Sequence, residues 1–120
     1  MGVYVNGKKK TADTTVEVTG TSQVAESNIH YISNNGGLVT ITLPATATVG
    51  DIIKISGKGA GGWKLAQNAS QVIYFITAAS TIGTGGYIAS TNQYDCITTK
   101  CITANTSWNV EEAIGNLNVV

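Results

Sequence analysis

Apolar and polar residues alternate with a period of two along much of this chain. Val39, Ile41 and Leu43 share one face, while Thr40 and Thr42 occupy the other. A two-residue period is typical of a half-buried β-strand. The predicted strands are residues 3–5, 15–19, 28–33, 38–43, 51–56, 63–66, 72–76, 87–90, 95–103, 107–111 and 117–120.

Turn signals separate these strands at short intervals. The Asn6-Gly7 and Asn35-Gly36 pairs are typical of two-residue hairpin turns, in which both positions need a positive φ. Residues 63–82 lack Gly and Pro but carry no apolar stripe at a 3.6-residue period, so we expect two strands and a turn there. Many short strands with frequent turns indicate a sandwich or barrel. We therefore predict an all-β, jelly-roll-like β-sandwich.

The length and the charge of the chain limit the classes of function that the protein can have. The chain has 120 residues, which favours a single domain. We divide it into an N-terminal arm, residues 1–15, and a head domain, residues 16–120. Seven lysines balance seven acids and arginine is absent, which argues against a nucleic-acid partner. No apolar run is long enough to cross a membrane as a helix, so no membrane insertion is predicted.

The stretch Gly57-Lys58-Gly59-Ala60-Gly61-Gly62 matches the dinucleotide pattern G-x-G-x-x-G. That fingerprint also requires a following helix and an acid about 20 residues further on. Here a short strand-like segment follows, and the next acid is Asp95. We favour a glycine-rich loop between two strands and predict no cofactor.

Catalytic and metal-binding candidates are few. His30 is the sole histidine and lies within a predicted strand, so a structural role is favoured. Cys96 and Cys101 point to opposite faces of a straight strand, which argues against a disulfide between them. Together with His30 they do not supply the four ligands of a zinc site. A metal held by three copies of His30 at a trimer axis is an alternative that the sequence does not show.

Asp51 and Asp95 are the candidate pair for a glycan-cleaving enzyme, which needs two carboxylates facing each other across a sugar. Both follow turn residues, where an aspartate more often accepts hydrogen bonds from backbone N–H groups. We therefore predict that the protein is not an enzyme. The three lysines Lys54, Lys58 and Lys64 are close in sequence and could form a basic patch for acidic glycans, although ordinary surface lysines are the simpler interpretation.

An ordered set of short motifs covers residues 16–110. They are VTGTSQ (18–23), YISNN (31–35), GLVTITLPAT (37–46), VGD (49–51), GKGAGGWKLAQN (57–68), GTGGYIASTNQYD (83–95) and ANTSWNV (104–110). This order resembles a β-rich C-terminal domain of bacteriophage tail fibres and bacterial collagen-like surface proteins. The resemblance implies a homotrimeric head at a fibre tip that touches a receptor or glycan. The sequence departs from the pattern of such domains at residues 96–101, where they usually carry an apolar run. A second departure is the absence of the long stalk that normally precedes the domain.

Self-association is also predicted from the residues. A surface with few charges is better tolerated when part of it is buried between subunits, and uncovered terminal strands invite pairing. We expect an obligate homo-oligomer, a trimer first. The predicted attachment residues are Val3, Tyr4, Val5, Leu117, Val119 and Val120.

Two non-enzymatic functions follow, both on a virion or an extracellular surface. The first is an adhesive head that binds a host glycan or receptor through Tyr87, Asn92 and Tyr94, because aromatic faces stack on sugars and amides bind hydroxyls. The alternative is a self-assembling subunit of a filament, tube or virion whose terminal strands are exchanged between neighbours.

Overall fold

The structure is a computed structural model that describes residues 14–120 and two short strands nearer the N-terminus. The strands are β1 (Tyr4–Val5), β2 (Lys8–Lys9), β3 (Thr14–Val18), β4 (Ser22–Val24), β5 (Ile29–Ser33), β6 (Val39–Thr42), β7 (Ile52–Gly57), β8 (Trp63–Ala66), β9 (Val72–Phe75), β10 (Ala78–Ala79), β11 (Tyr87–Ala89), β12 (Cys96–Thr103), β13 (Ser107–Ile114) and β14 (Asn118–Val119). The described residues contain no helix. The all-β prediction is therefore confirmed. Within the part of the chain that the structure describes, no helix is long and apolar enough to cross a membrane.

Two mixed sheets enclose one apolar core. The seven-stranded sheet has the order β10-β9-β13-β12-β7-β5-β3, and the five-stranded sheet has the order β14-β11-β8-β6-β4. The core draws fully buried side chains from both sheets, including Ile53 and Trp108 from the larger and Ile41 and Trp63 from the smaller. Alternate residues of β6, β7 and β12 are buried, as the two-residue period predicts. The arrangement is that of a β-sandwich.

The first half of the sandwich is a stack of three coils. The chain passes from the larger sheet to the smaller in each coil, through β3–β4, β5–β6 and β7–β8. Each strand lies parallel to its equivalent in the next coil. A jelly roll is built from antiparallel strands, so the jelly-roll-like part of the prediction is wrong.

The predicted strands from residue 15 onward are confirmed with shifts of a few residues at their ends. Sequence analysis missed the short strands β2, β4 and β10. The strands β1 and β2 that flank Asn6-Gly7 pair antiparallel, as predicted for a hairpin. Asn35-Gly36 does not form a hairpin, because the strands on either side of it belong to different sheets.

The two lateral sides of the sandwich differ. On one side β3 and β4, the strands of the first coil, are the edges of the two sheets, which we call the open side. On the other side the edges are β10 and β14, with two residues each. There the Thr81 N–H donates to the Val120 carbonyl across 3.1 Å and links the two edges. We call this second side the closed side, because a hydrogen bond joins the edges of the two sheets there.

Candidate functional site

Loops at one end of the sandwich, which we call the loop end, carry two of the predicted ligand-binding residues. Asn92 and Tyr94 lie between β11 and β12, and both are exposed. Tyr94 is 70% exposed, a large fraction for an aromatic side chain. The loop therefore presents an aromatic ring beside an amide, the pair of groups that the sequence suggested for a glycan.

Asp95 is buried beneath the loop end and holds one of its turns through hydrogen bonds. The Asp95 carboxylate accepts hydrogen bonds from the Thr91 N–H at 2.8 Å and the Asn92 N–H at 2.9 Å. The Asp95 carbonyl accepts from the Trp63 indole at 2.9 Å. Because buried carboxylates need such partners, the side chain fixes the turn that carries Tyr94.

Neighbouring loops extend the same surface. The Gln93 side-chain amide donates to the Lys58 carbonyl at 2.9 Å, joining the Tyr94 loop to the glycine-rich loop. The Lys58 ammonium lies 3.4 Å from the Glu17 carboxylate, and the Asn34 amide donates to the same carboxylate at 2.7 Å. These contacts lower the pKa of Glu17, the hydrogen bond from Asn34 contributing most and Lys58 next. The loop end is thus rich in amides, and its lysine is already paired.

The glycine-rich loop connects β7 to β8, as predicted. A Cβ on Gly59 would lie 2.3 Å from the Asn35 nitrogen, and a Cβ on Gly61 would lie 2.0 Å from the Gly37 carbonyl oxygen. The Gly61 N–H donates to the Asn35 carbonyl at 3.1 Å. Glycine is therefore needed for the close approach of one coil's loop to the next, and the strand β8, not a helix, follows.

Lys54 and Lys64 lie on different sheets, so the three lysines do not form the single basic patch that was the alternative to ordinary surface lysines. Lys54 lies on the outer face of the seven-stranded sheet and Lys64 on the outer face of the five-stranded sheet, because β7 and β8 belong to opposite layers. Lys58 lies between the layers at the loop end, beside Glu17.

Tyr87 is separated from the other two predicted aromatic and amide ligands. It lies on β11 with the Lys64 ammonium 4.9 Å from its ring centroid, a cation–π distance. Its backbone pairs with Val120, through hydrogen bonds of 3.0 Å in both directions. Tyr87 and Lys64 therefore belong to a sheet face, whereas Tyr94 and Asn92 belong to the loop end.

A concavity lies on the outer face of the seven-stranded sheet, and we call it the sheet groove. It has a volume of about 540 Å³. Its lining residues are His30, Lys54, Ser56, Cys96, Ile97, Thr98, Glu111, Glu112, Ala113 and Ile114. His30 Nε2 lies 2.7 Å from the Ser56 hydroxyl. Burial, and next the charge of Lys54, lower the pKa of His30 below its ordinary value of 6.5. Sequence analysis considered His30 and Lys54 separately, because only the sheet register brings them side by side.

The proposed carboxylate pair is not assembled. Asp95 directly precedes β12, and its carbonyl accepts a hydrogen bond from the Gly57 N–H at the far end of β7. Asp51 directly precedes β7, and its carbonyl accepts from the Cys101 N–H. Six residues of strand separate the two positions, roughly 20 Å, and a glycosidase needs its carboxylates within about 10 Å. Asp51 and Asp95 instead accept hydrogen bonds from nearby backbone N–H groups, as predicted for turn residues.

The cysteines are free and lie on opposite faces of β12, as predicted. Cys96 borders the sheet groove, and Cys101 is buried in the core, where burial raises the pKa of its thiol. No cluster of three or more His, Cys, Asp or Glu side chains suited to a metal ion occurs within the described part of the chain.

The predicted attachment residues are only partly described. Val3 and the side chains of Tyr4 and Val5 lie outside the described residues. Leu117 and Val119 pack against the core of their own chain, and β14 pairs with its own β11. The C-terminal strand is thus seated within its own sheet, and its exchange between neighbours stays a prediction.

No protein-family model matches this chain, and a search of curated proteins finds no match either.

Proposed function

We propose that this domain is a non-enzymatic recognition module of a virion or extracellular surface fibre, and that the loop end binds a glycan on the target cell. The observation that carries the proposal is Tyr94, an exposed aromatic ring on a turn fixed by the buried Asp95. A ligand that stacks on a fixed ring loses less entropy on binding than one that must first order a loop.

The polar groups around Tyr94 suggest an uncharged ligand. The amides of Asn92 and Gln93 lie on the same loop, and Lys58 is already occupied by Glu17. Amides donate to and accept from sugar hydroxyls. We therefore expect neutral oligosaccharides to bind in preference to sulfated ones, contrary to the basic-patch hypothesis.

A glycan array probed with the labelled protein tests this. Tyr94→Ala should remove the signal, whereas Tyr94→Phe should keep it because the ring remains. The matched control is Tyr74→Ala, since Tyr74 is also exposed but lies on β9, away from the Tyr94 loop. A signal that survives Tyr94→Ala, or no signal on any glycan or host cell, would contradict the proposal.

Self-association is the second part of the proposal, and the open side favours it. The backbone groups of β3 and β4 that face away from the sheets have no neighbouring strand among the described residues. Glu17 is the sole charged residue on these two strands, and it is paired. Edge strands without protective charges pair readily with other strands. We propose that the open side contacts another copy, with a homotrimer as the expected assembly.

Light scattering on the full chain tests the assembly. Three copies of a 12.4-kDa chain give about 37 kDa and two give about 25 kDa. Like edges that pair across a two-fold axis make a dimer, whereas a trimer requires the open side to meet a different surface. Val24→Lys, at an exposed residue of β4, should shift the mass toward the monomer. Ile82→Lys, at a similarly exposed residue near the closed side, is the control. A monomeric wild-type chain would reject self-association.

A further inference from the structure

The sheet groove is a second candidate binding site, independent of the loop end. Its floor is built by the register of four adjacent strands, which aligns His30 with Lys54, Lys54 with Thr98, and Thr98 with Glu112. All four side chains line the groove. The row therefore runs from a cationic end to an acidic end.

The cationic end lacks an acidic partner. Among the described residues, Lys54 makes neither an ion pair nor a hydrogen bond. Beside it, His30 Nε2 lies 2.7 Å from the Ser56 hydroxyl. A carboxylate placed here would meet an ammonium group and a hydroxyl, both of which donate hydrogen bonds.

The acidic end has one free carboxylate. Glu111 lies 3.5 Å from the Lys100 ammonium, so it is already paired. A bulge in β13 places Glu111 beside Glu112, opposite Thr98 and Thr99. Glu112 is exposed and has no ion-pair or hydrogen-bond partner among the described residues.

The spacing between the two ends defines the ligand. The backbones of Lys54 and Glu112 are two strand spacings apart, about 10 Å. Where both side chains project straight out from the sheet, their charged groups have the same separation, and hydrogen bonds of about 2.8 Å at each end leave roughly 4 Å between the charged groups of a bridging molecule. A molecule with one negative and one positive group a few bonds apart fits this interval.

We propose that the sheet groove binds a small zwitterion of the amino-acid class, with its carboxylate at Lys54 and its ammonium group at Glu112. The Thr98 hydroxyl lies between the two ends and is available to either ligand group. The groove volume of about 540 Å³ leaves room for a substituent along Cys96 and Ile114.

NMR of the intact chain tests this, because His30 is the sole histidine and gives one imidazole signal. The probe is β-alanine, and acetate and methylammonium are the singly charged controls. A carboxylate beside His30 favours the protonated imidazole, so β-alanine should raise the pKa of His30. At equal concentration, acetate should have a smaller effect and methylammonium none.

Substitutions test which residue binds the carboxylate of β-alanine and which binds its ammonium group. Lys54→Met should weaken β-alanine binding at least about tenfold, and Glu112→Gln should reduce it to the level of acetate. Lys64→Met is the control, because Lys64 lies on the outer face of the five-stranded sheet, outside the groove, and binding should be unchanged. The proposal is overturned if β-alanine leaves the His30 signal unmoved, if acetate binds equally well, or if Lys54→Met and Lys64→Met behave alike.

Discussion

The coiled half of the sandwich, residues 14–66, and the C-terminal half, residues 67–120, are held together in different ways. In the coiled half, parallel strands stack in register and the loops between them touch through backbone atoms. In the C-terminal half, buried polar side chains hold the turns. The coiled half thus depends on close backbone approach between its loops, whereas the C-terminal half adds hydrogen bonds from the buried Gln67 and Gln71 side chains to a close backbone approach of its own at Gly86.

Gln67 and Gln71 show how the C-terminal half is organised. The Gln67 amide donates to the Thr81 carbonyl at 2.8 Å, and its carbonyl accepts from the Ser80 hydroxyl at 2.6 Å. The Gln71 amide donates to the carbonyls of Pro44 and Asn105 at 2.9 and 3.0 Å. Each glutamine connects segments that are distant in sequence. Loops outside the strands are therefore held in place by side-chain hydrogen bonds.

The comparison implies that different kinds of substitution should destabilise the two halves. The coiled half should be sensitive to an added methyl group at the loop positions where neighbouring coils touch, such as Gly59 and Gly61. The C-terminal half should be sensitive to the loss of donors and acceptors at buried positions, even when volume is conserved. Substitutions in each half test this difference.

The largest expected effect is at the coil contact. Gly61→Ala places a Cβ about 2.0 Å from the Gly37 carbonyl oxygen, and both partners are backbone, so neither can rotate away. We expect a loss of about 3–5 kcal/mol in the free energy of unfolding, measured by urea denaturation. Gly36→Ala is the control, since a Cβ there meets nothing within 4 Å. Equal stability of the two variants would show that the loops are not tightly stacked.

A smaller loss is expected in the C-terminal half. Gln71→Ala leaves the carbonyls of Pro44 and Asn105 and the Asn68 N–H without their partner. These three groups are only partly shielded from water, so we expect a loss of about 2 kcal/mol in the free energy of unfolding. Gln23→Ala is the matched control, because the Gln23 amide bonds only the exposed carbonyl of Val24. A thermal midpoint for Gln71→Ala equal to that of Gln23→Ala would contradict the role assigned to Gln71.

The alternation of residues was sufficient to predict the strands but not how they pair. The pattern of β6, with Val39 and Ile41 buried and Thr40 and Thr42 half-buried, is the same in parallel and antiparallel sheets. The strand β4 was not predicted from the sequence because its three residues are mostly exposed. Its strand conformation depends on pairing with β6. Pairing is a long-range property, so local patterning does not encode it.

The candidate sites were predictable to different degrees. Tyr94 is one of the turn residues that precede Asp95, and Asp95 has the position of a turn-capping residue, so the loop that carries Asn92 and Tyr94 is local in sequence. The sheet groove combines residues 30, 54, 98 and 112, which only the register brings into one row. The lysines 54, 58 and 64 show the reverse error, since nearness in sequence suggested a patch that the two-layer fold divides.

A gain in stability is expected at the turn between β9 and β10. Ile76 has a φ of 58°, a left-handed conformation that β-branched residues strongly disfavour, and it is 83% exposed. Ile76→Asn relieves the strain without loss of buried surface, because asparagine tolerates this region. We expect a gain of about 1 kcal/mol in the free energy of unfolding. Ile82→Asn, at an exposed isoleucine without a positive φ, should give no gain.

The smallest expected effect is a pH dependence at His30, on the outer face of the coiled half. Burial and Lys54 lower the pKa of His30 below its ordinary value of 6.5, so the unfolded chain takes up a proton more readily than the folded one. Stability should therefore fall as the pH drops from about 6.5 through the pKa of the folded state. Glu17, whose pKa is also lowered, acts in a separate window below its ordinary value of 4.5.

The His30 contribution is isolated by comparison with His30→Gln, which keeps a hydrogen-bonding group near Ser56 but does not titrate. Urea midpoints of both chains between pH 7.5 and 5 should diverge as the pH falls, with the wild type losing stability faster. Lys54→Met should reduce the divergence, because it removes the neighbouring positive charge while leaving the burial of His30 largely unchanged. Parallel curves for the wild type and His30→Gln would mean that His30 titrates as it does in the unfolded chain. The coupling between His30 and Lys54 on adjacent strands would then be negligible, and the row of side chains across the coils would lack the electrostatic contact that its register implies.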